Sequence, residues 1–80
     1  MSTPDPILET LLTLAAERFR RDRALLRGPD DLFDALDIDS VDAMTLLTAL
    51  EERFGVEIPD YEVQDVRTFQ ALADVVRRRV

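Results

Sequence analysis

Eighty residues make one small domain, and the absence of cysteine and histidine excludes disulfide staples, a cysteine or histidine metal site and the commonest general base. Apolar residues make up 46% of the chain, ordinary for a globular domain and too periodic here for a disordered tail. The net charge of −7 is unevenly laid out: residues 1–29 hold five arginines and four acids, residues 30–65 one arginine and twelve acids, and residues 66–80 four arginines and one acid. An acidic middle between mildly basic ends repels nucleic acid and favours basic protein surfaces. No apolar run is long enough for a membrane span, and "MSTPDPILET" lacks the basic start of a signal peptide, which predicts a cytoplasmic chain. The initiating Met1 and the length predict a free-standing protein of one domain, residues 1–80, with residues 1–5 as a flexible end.

In chain order, "PDPILETLLTLAAERFRRD" opens with Asp5 as an N-cap and Pro6 at the first helical position, where its missing N–H does no harm. Ile7, Leu8, Leu11, Leu12, Ala15 and Phe19 recur at helical spacing and form one apolar stripe. Arg18, Arg20, Arg21 and Arg23 gather at the C-terminal end, where the helix dipole favours cations. After Gly28-Pro29 comes "DDLFDALDI", whose Leu32, Phe33, Leu36 and Ile38 predict an ordered loop laid across the helices.

A second helix is expected from about Val41 to Phe54. At 100° per residue, Ala43, Leu46, Leu47, Leu50 and Phe54 fall within an arc of about 100° that faces the core. Val41, Met44, Thr45, Thr48, Glu51 and Glu52 lie on the other side, and Gly55 is a natural stop. Pro59 bars continuation. "DYEVQDV" predicts a short helical turn, with Asp60 as cap and Tyr61 and Val63 facing inward. Thr68 caps a last helix striped by Phe69, Leu72, Val75 and Val76. The fold class is all-α: a small four-helix bundle of three longer helices and one short one, with a long ordered loop between the first and second.

The stretch "DIDSVDA" carries more caps than one helix start needs. Asp39 is a good N-cap, and Asp42 stands three residues later, placed to return a bond to the cap's N–H. That leaves Ser40 at the first helical position, with a hydroxyl surplus to folding. As a nucleophile it lacks a partner, since the only bases are carboxylates and nothing resembles a nucleophile elbow; the chain is not expected to be an enzyme. As part of a calcium loop beginning at Asp37 it fails too, with Val41 at the fifth position, Asp42 where glycine is needed and Thr48 where the bidentate glutamate belongs. A third use is modification by another enzyme that reads the surrounding acids.

The stretch "LDIDSVDAMTLLTALEERFGVEIPD" resembles the acyl carrier proteins of fatty-acid and polyketide synthesis, over nearly the whole chain from Ile7 to the last helix. The resemblance implies an acyl-carrier-protein-like bundle. It implies 4′-phosphopantetheine carried covalently on Ser40, beside Asp39, and added from coenzyme A by a phosphopantetheinyl transferase. Acyl intermediates would ride this arm as thioesters between acyl-transferring, condensing and tailoring enzymes with basic docking patches. Val41, Asp42, Met44, Glu51 and Glu52 would form the face that meets those partners, and the acyl chain would tuck between the helices. The carrier is expected to act as a monomer, without metal, membrane or nucleic acid. Four positions depart from the family's usual pattern: Asp37 replaces a common glycine, Val41 a leucine or isoleucine, Thr45 an acid, and Arg53 interrupts the acidic run. They point to a carrier dedicated to a specialised pathway rather than to housekeeping fatty-acid synthesis.

Two alternatives stay open. An aminoacyl or peptidyl carrier would use the same serine and arm with different cargo, although Asp39 and the Ile58-Pro59-Asp60 turn favour an acyl carrier. An unmodified acidic adaptor binding a basic partner would keep its function in Ser40→Ala and lose it on charge reversal at Asp42 or Glu51.

Overall fold

The computed structural model describes residues 5–80. Four α-helices follow in order: α1 (Pro6–Phe19), α2 (Leu32–Leu36), α3 (Ser40–Phe54) and α4 (Phe69–Arg77), with 3₁₀ turns at Arg23–Leu25 and Asp60–Glu62. The expectation of a flexible end falls, apart from Asp5, outside the described residues. Asp5 itself is an ordered cap: its Oδ1 accepts from the N–H of Ile7 at 3.1 Å and of Leu8 at 3.3 Å. Its other carboxylate oxygen pairs with Arg77 and so ties the start of α1 to the end of α4.

The helix stripes become one core. Leu11, Leu12, Ala15 and Ala16 of α1 are buried with Leu46, Leu47 and Leu50 of α3 and with Phe69, Leu72, Ala73, Val75 and Val76 of α4. α1 packs on both α4 and α3. Ile7, Leu8, Phe19, Ala43 and Phe54 pack around this core half-buried.

The bundle has four helices, but its short one lies elsewhere than expected. It is α2, inside the stretch read as a loop, where Asp31 Oδ1 caps the N–H groups of Phe33 and Asp34 at 2.9 and 3.1 Å. Asp37 stops it with φ 54°, in the left-handed region that glycine or aspartate tolerates. The rest of the expectation for this stretch holds: Leu32 and Leu36 are buried, and Phe33 and Ile38 half-buried. Arg21 grips the Leu36 carbonyl at 2.9 Å, and Leu32 N–H donates to the Arg67 carbonyl at 2.7 Å. Gln70 N–H donates to the Gly28 carbonyl at 2.8 Å. The connection is therefore stitched to the end of α1 and the start of α4.

The 60–66 stretch makes only a 3₁₀ turn. Asp60 is its first residue rather than its cap, and Pro59 precedes it with no side-chain capping bond. Tyr61 does not face inward; it is 66% exposed. Extended Pro59 followed by three residues per turn rotates Tyr61 outward and leaves Val63 half-buried against the core.

Candidate functional site

Ser40 occupies the first position of α3, as expected. Asp39 is extended, at φ −101° and ψ −177°, and its Oδ1 accepts from the Asp42 N–H at 2.9 Å. The return bond from the Asp42 carboxylate to the Asp39 N–H does not form among the described residues, so half of the capping box is made. Asp39 satisfies only one of the orphan N–H groups at this helix start. The N–H groups of Ser40 and Val41 have no acceptor among the described residues, and neither does the exposed Ser40 hydroxyl.

Beside Ser40 opens a cleft of about 540 Å³ between α3 and the segment that leads into α4. Ala43, Leu46 and Leu47 of α3 line one side, and Val63, Val66 and Leu72 the other. Leu32 and Phe33 of α2 close it, and Met44, Asp60, Asp65 and Arg67 stand around it. Arg67 lies over the Phe33 ring at 5.0 Å from its centre, while its Nε donates to Asp31 Oδ2 at 3.0 Å. The Asp34 backbone N–H, together with Arg67 and the Phe33 N–H, holds the Asp31 carboxyl below the usual aspartate value.

Of the expected partner face, Val41 is 72% exposed and Met44 46%. Asp42 and Glu52 are exposed as well. Thr45 and Thr48 turn their hydroxyls back to the carbonyls of Val41 and Met44, at 3.2 and 3.1 Å, and so present methyl groups outward. Glu51 is turned to the fold: it is half-buried, and its Oε2 accepts the Ile58 N–H at 2.8 Å. Sequence reasoning named Leu32, Phe33, Val63 and Leu72 as inward-facing but missed Arg67 at the cleft's rim. Phe33 and Arg67 come together only through the pairing of residues 31–32 with 67–68, a contact between segments 36 positions apart. The available signal was a lone arginine immediately before the Thr68 cap.

These residues fit a phosphorylated pantetheine group. The serine oxygen is accessible, two unpaired backbone N–H groups and the positive end of a helix lie beside it, and they suit a phosphate.

The family described as a phosphopantetheine attachment site matches residues 9–76. The acyl carrier protein of Myxococcus xanthus is 36% identical over 76 residues, covering 95% of this chain and 96% of its own length. That of Micrococcus luteus is also 36% identical over 76 residues, with 95% and 94% covered. That of Rickettsia typhi is 29% identical over 79 residues, with 99% and 92% covered. The chain belongs to the acyl carrier protein family and contains its phosphopantetheine attachment domain, so it is a carrier and not an enzyme.

Proposed function

We propose that Ser40 bears the 4′-phosphopantetheine arm and that the chain carries acyl intermediates as thioesters between partner enzymes of fatty-acid, polyketide or related specialised biosynthesis in the cytoplasm. One observation carries this reading: the accessible Ser40 hydroxyl, unused by the fold, stands between two unpaired backbone N–H groups and an apolar cleft. On attachment, Ser40 Oγ forms a new P–O bond, the pyrophosphate bond of coenzyme A breaks, the adenosine bisphosphate half leaves and the serine proton passes to the transferase. The bound group supplies a thiol on a flexible tether, which holds cargo at high effective concentration near each partner. The chain's own residues do the rest. Asp39 fixes the helix start, the Ser40 and Val41 N–H groups face the phosphate, and Leu46, Leu47, Val63 and Leu72 shelter an apolar chain from water.

Val41, Asp42, Met44 and Glu52 form the face that partners meet, with Glu51 contributing from its edge. Each exposed ion pair there is worth about 0.2–1 kcal/mol, so docking is weak, salt-sensitive and brief, as serial hand-over needs. The phosphopantetheinyl transferase and the later enzymes of the pathway approach this face with basic patches.

Intact mass after incubation with coenzyme A and a broad-specificity phosphopantetheinyl transferase tests the assignment. One added phosphopantetheine on the wild type and none on Ser40→Ala is the expected result. No addition to folded protein by several such transferases removes the reading and leaves the acidic adaptor.

A further inference from the structure

The cleft beside Ser40 has apolar walls and, among the described residues lining it, a single cation. Arg67 is held there at three points. Its backbone carbonyl accepts the Leu32 N–H at 2.7 Å, its Nε donates to Asp31 at 3.0 Å, and its guanidinium lies 5.0 Å from the centre of the Phe33 ring. A guanidinium carries five N–H donors in a planar fork. Asp31 takes the one on Nε, and the four on Nη1 and Nη2 have no acceptor among the described residues. With the side chain 65% exposed, these donors stand in water at the rim of a cleft whose other polar lining residues are Ser40, Gln64, Asp60 and Asp65.

Beyond the thioester carbonyl that every acyl chain shares, a saturated chain lying in the cleft offers that fork no oxygen. A carboxylate would be repelled by Asp31, which is bonded to Arg67, and by Asp60 and Asp65 of the same lining. A neutral oxygen, the carbonyl of a ketone or a hydroxyl, accepts from the guanidinium without that repulsion. We propose, on the footing that Ser40 carries the arm, that Arg67 makes this cleft prefer acyl chains bearing a neutral ketone or hydroxyl oxygen over saturated chains of the same length.

The test loads octanoyl and its oxo derivatives, with the ketone on the third, fifth or seventh carbon, from their coenzyme A thioesters onto wild type, Arg67→Met and Asp31→Asn. Intact mass verifies loading on Ser40. Thioester half-life, each normalised to the same thioester free in solution, then reports shelter. The Arg67 Nε–H resonance reports contact. A charge-assisted hydrogen bond at an exposed rim predicts that at least one oxo chain is sheltered about threefold to tenfold better than octanoyl on wild type, and that it moves the Arg67 resonance. Arg67→Met keeps the apolar stem and should shelter all chains alike. Asp31→Asn keeps an oxygen to cap α2 while freeing the guanidinium of its competitor, and should keep or increase the preference. The proposal fails if no oxo chain outlasts octanoyl, or if the preference survives in Arg67→Met. Absence of loading on Ser40 overturns this proposal and the carrier assignment together, whereas loading without preference overturns this proposal alone.

Discussion

Replacing Glu51 separates a role in the fold from a role in docking. Its Oε2 accepts the Ile58 N–H at 2.8 Å, and its backbone carbonyl accepts from Gly55 and Val56 at the end of α3. One residue thus anchors the whole exit from α3, and behind that exit hangs the segment that walls the cleft. In Glu51→Ala the Ile58 N–H, beside a buried side chain, loses an ionised acceptor. Leaving such a donor unmet costs about 1–3 kcal/mol. At about 4–8 °C per kcal/mol for a domain of this size, a mid-range loss of about 2 kcal/mol lowers Tm by about 8–16 °C.

Glu51→Gln keeps an acceptor oxygen without the charge and should recover about half of that loss. Thermal unfolding followed by circular dichroism measures both variants, and faster hydrogen exchange at the Ile58 amide localises the effect. Glu52→Ala is the control: that carboxylate is exposed and makes no bond among the described residues, so stability should hold within about 0.5 kcal/mol of wild type, about 2–4 °C in Tm. An unchanged Tm in Glu51→Ala, or a Gln variant as damaged as the Ala variant, would refute the anchoring role.

Leu46→Ala, at a fully buried position on the cleft floor, should cost about 2–5 kcal/mol; chemical denaturation would show it as a large part of a total near 4–12 kcal/mol. Gly55→Ala meets no atom within 4 Å but must hold φ 66°, so strain alone should cost about 1 kcal/mol, read as a lower Tm with an unchanged fold. Glu62 is held below its ordinary pKa chiefly by the Arg79 side-chain hydrogen bond. The unfolded chain therefore takes up this proton more readily, and the stabilisation is present above about pH 4.3 and lost as pH falls through the lowered value. The Tm gap between wild type and Glu62→Gln should shrink between pH 6 and pH 3, and a gap independent of pH would contradict the pairing.

What could be read from the sequence was what is set within a turn or two of chain. Asp5, Asp39 and Thr68 cap their helices because each side chain needs only an N–H two or three residues away. The stripes of α1, α3 and α4 became the core because helical period alone gathers Leu46, Leu47 and Leu50 on one face. The five residues of α2 are too few to show a period, and its Asp31 cap was hidden in an acidic run. Tyr61 went the other way because a 3₁₀ turn redirects side chains that an α-helical reading sends inward. The Glu51 anchor and the Arg67 rim depend on where a distant backbone passes, and no local pattern encodes that.

The uneven charge of the chain takes on a physical meaning once its ion pairs are placed. Arginines from the two basic ends bind acids that stabilise the fold: Arg23 with Glu9, Arg77 with Asp5 and Asp74, Arg79 with Glu62, and Arg67 with Asp31. Among the described residues, only Asp31 and Glu62 of the twelve acids in residues 30–65 hold such a partner. The remaining acids gather in the segment that holds the start of α3 and the rim of the cleft. Their field is therefore not cancelled within the molecule, and it reaches about 8–10 Å into ordinary salt before screening removes it. At the centre of that field the exposed face of α3 presents Val41, Met44 and the methyl groups of Thr45 and Thr48. On the proposed docking face, charge around the edge would steer a basic partner and set the on-rate. The apolar centre is small, so a complex formed there would be short-lived. A carrier that must leave each enzyme with its cargo needs both properties, and both would follow from one imbalance: among the described residues, Arg23, Arg67, Arg77 and Arg79 are paired with acids, while ten of the twelve acids in residues 30–65 hold no arginine.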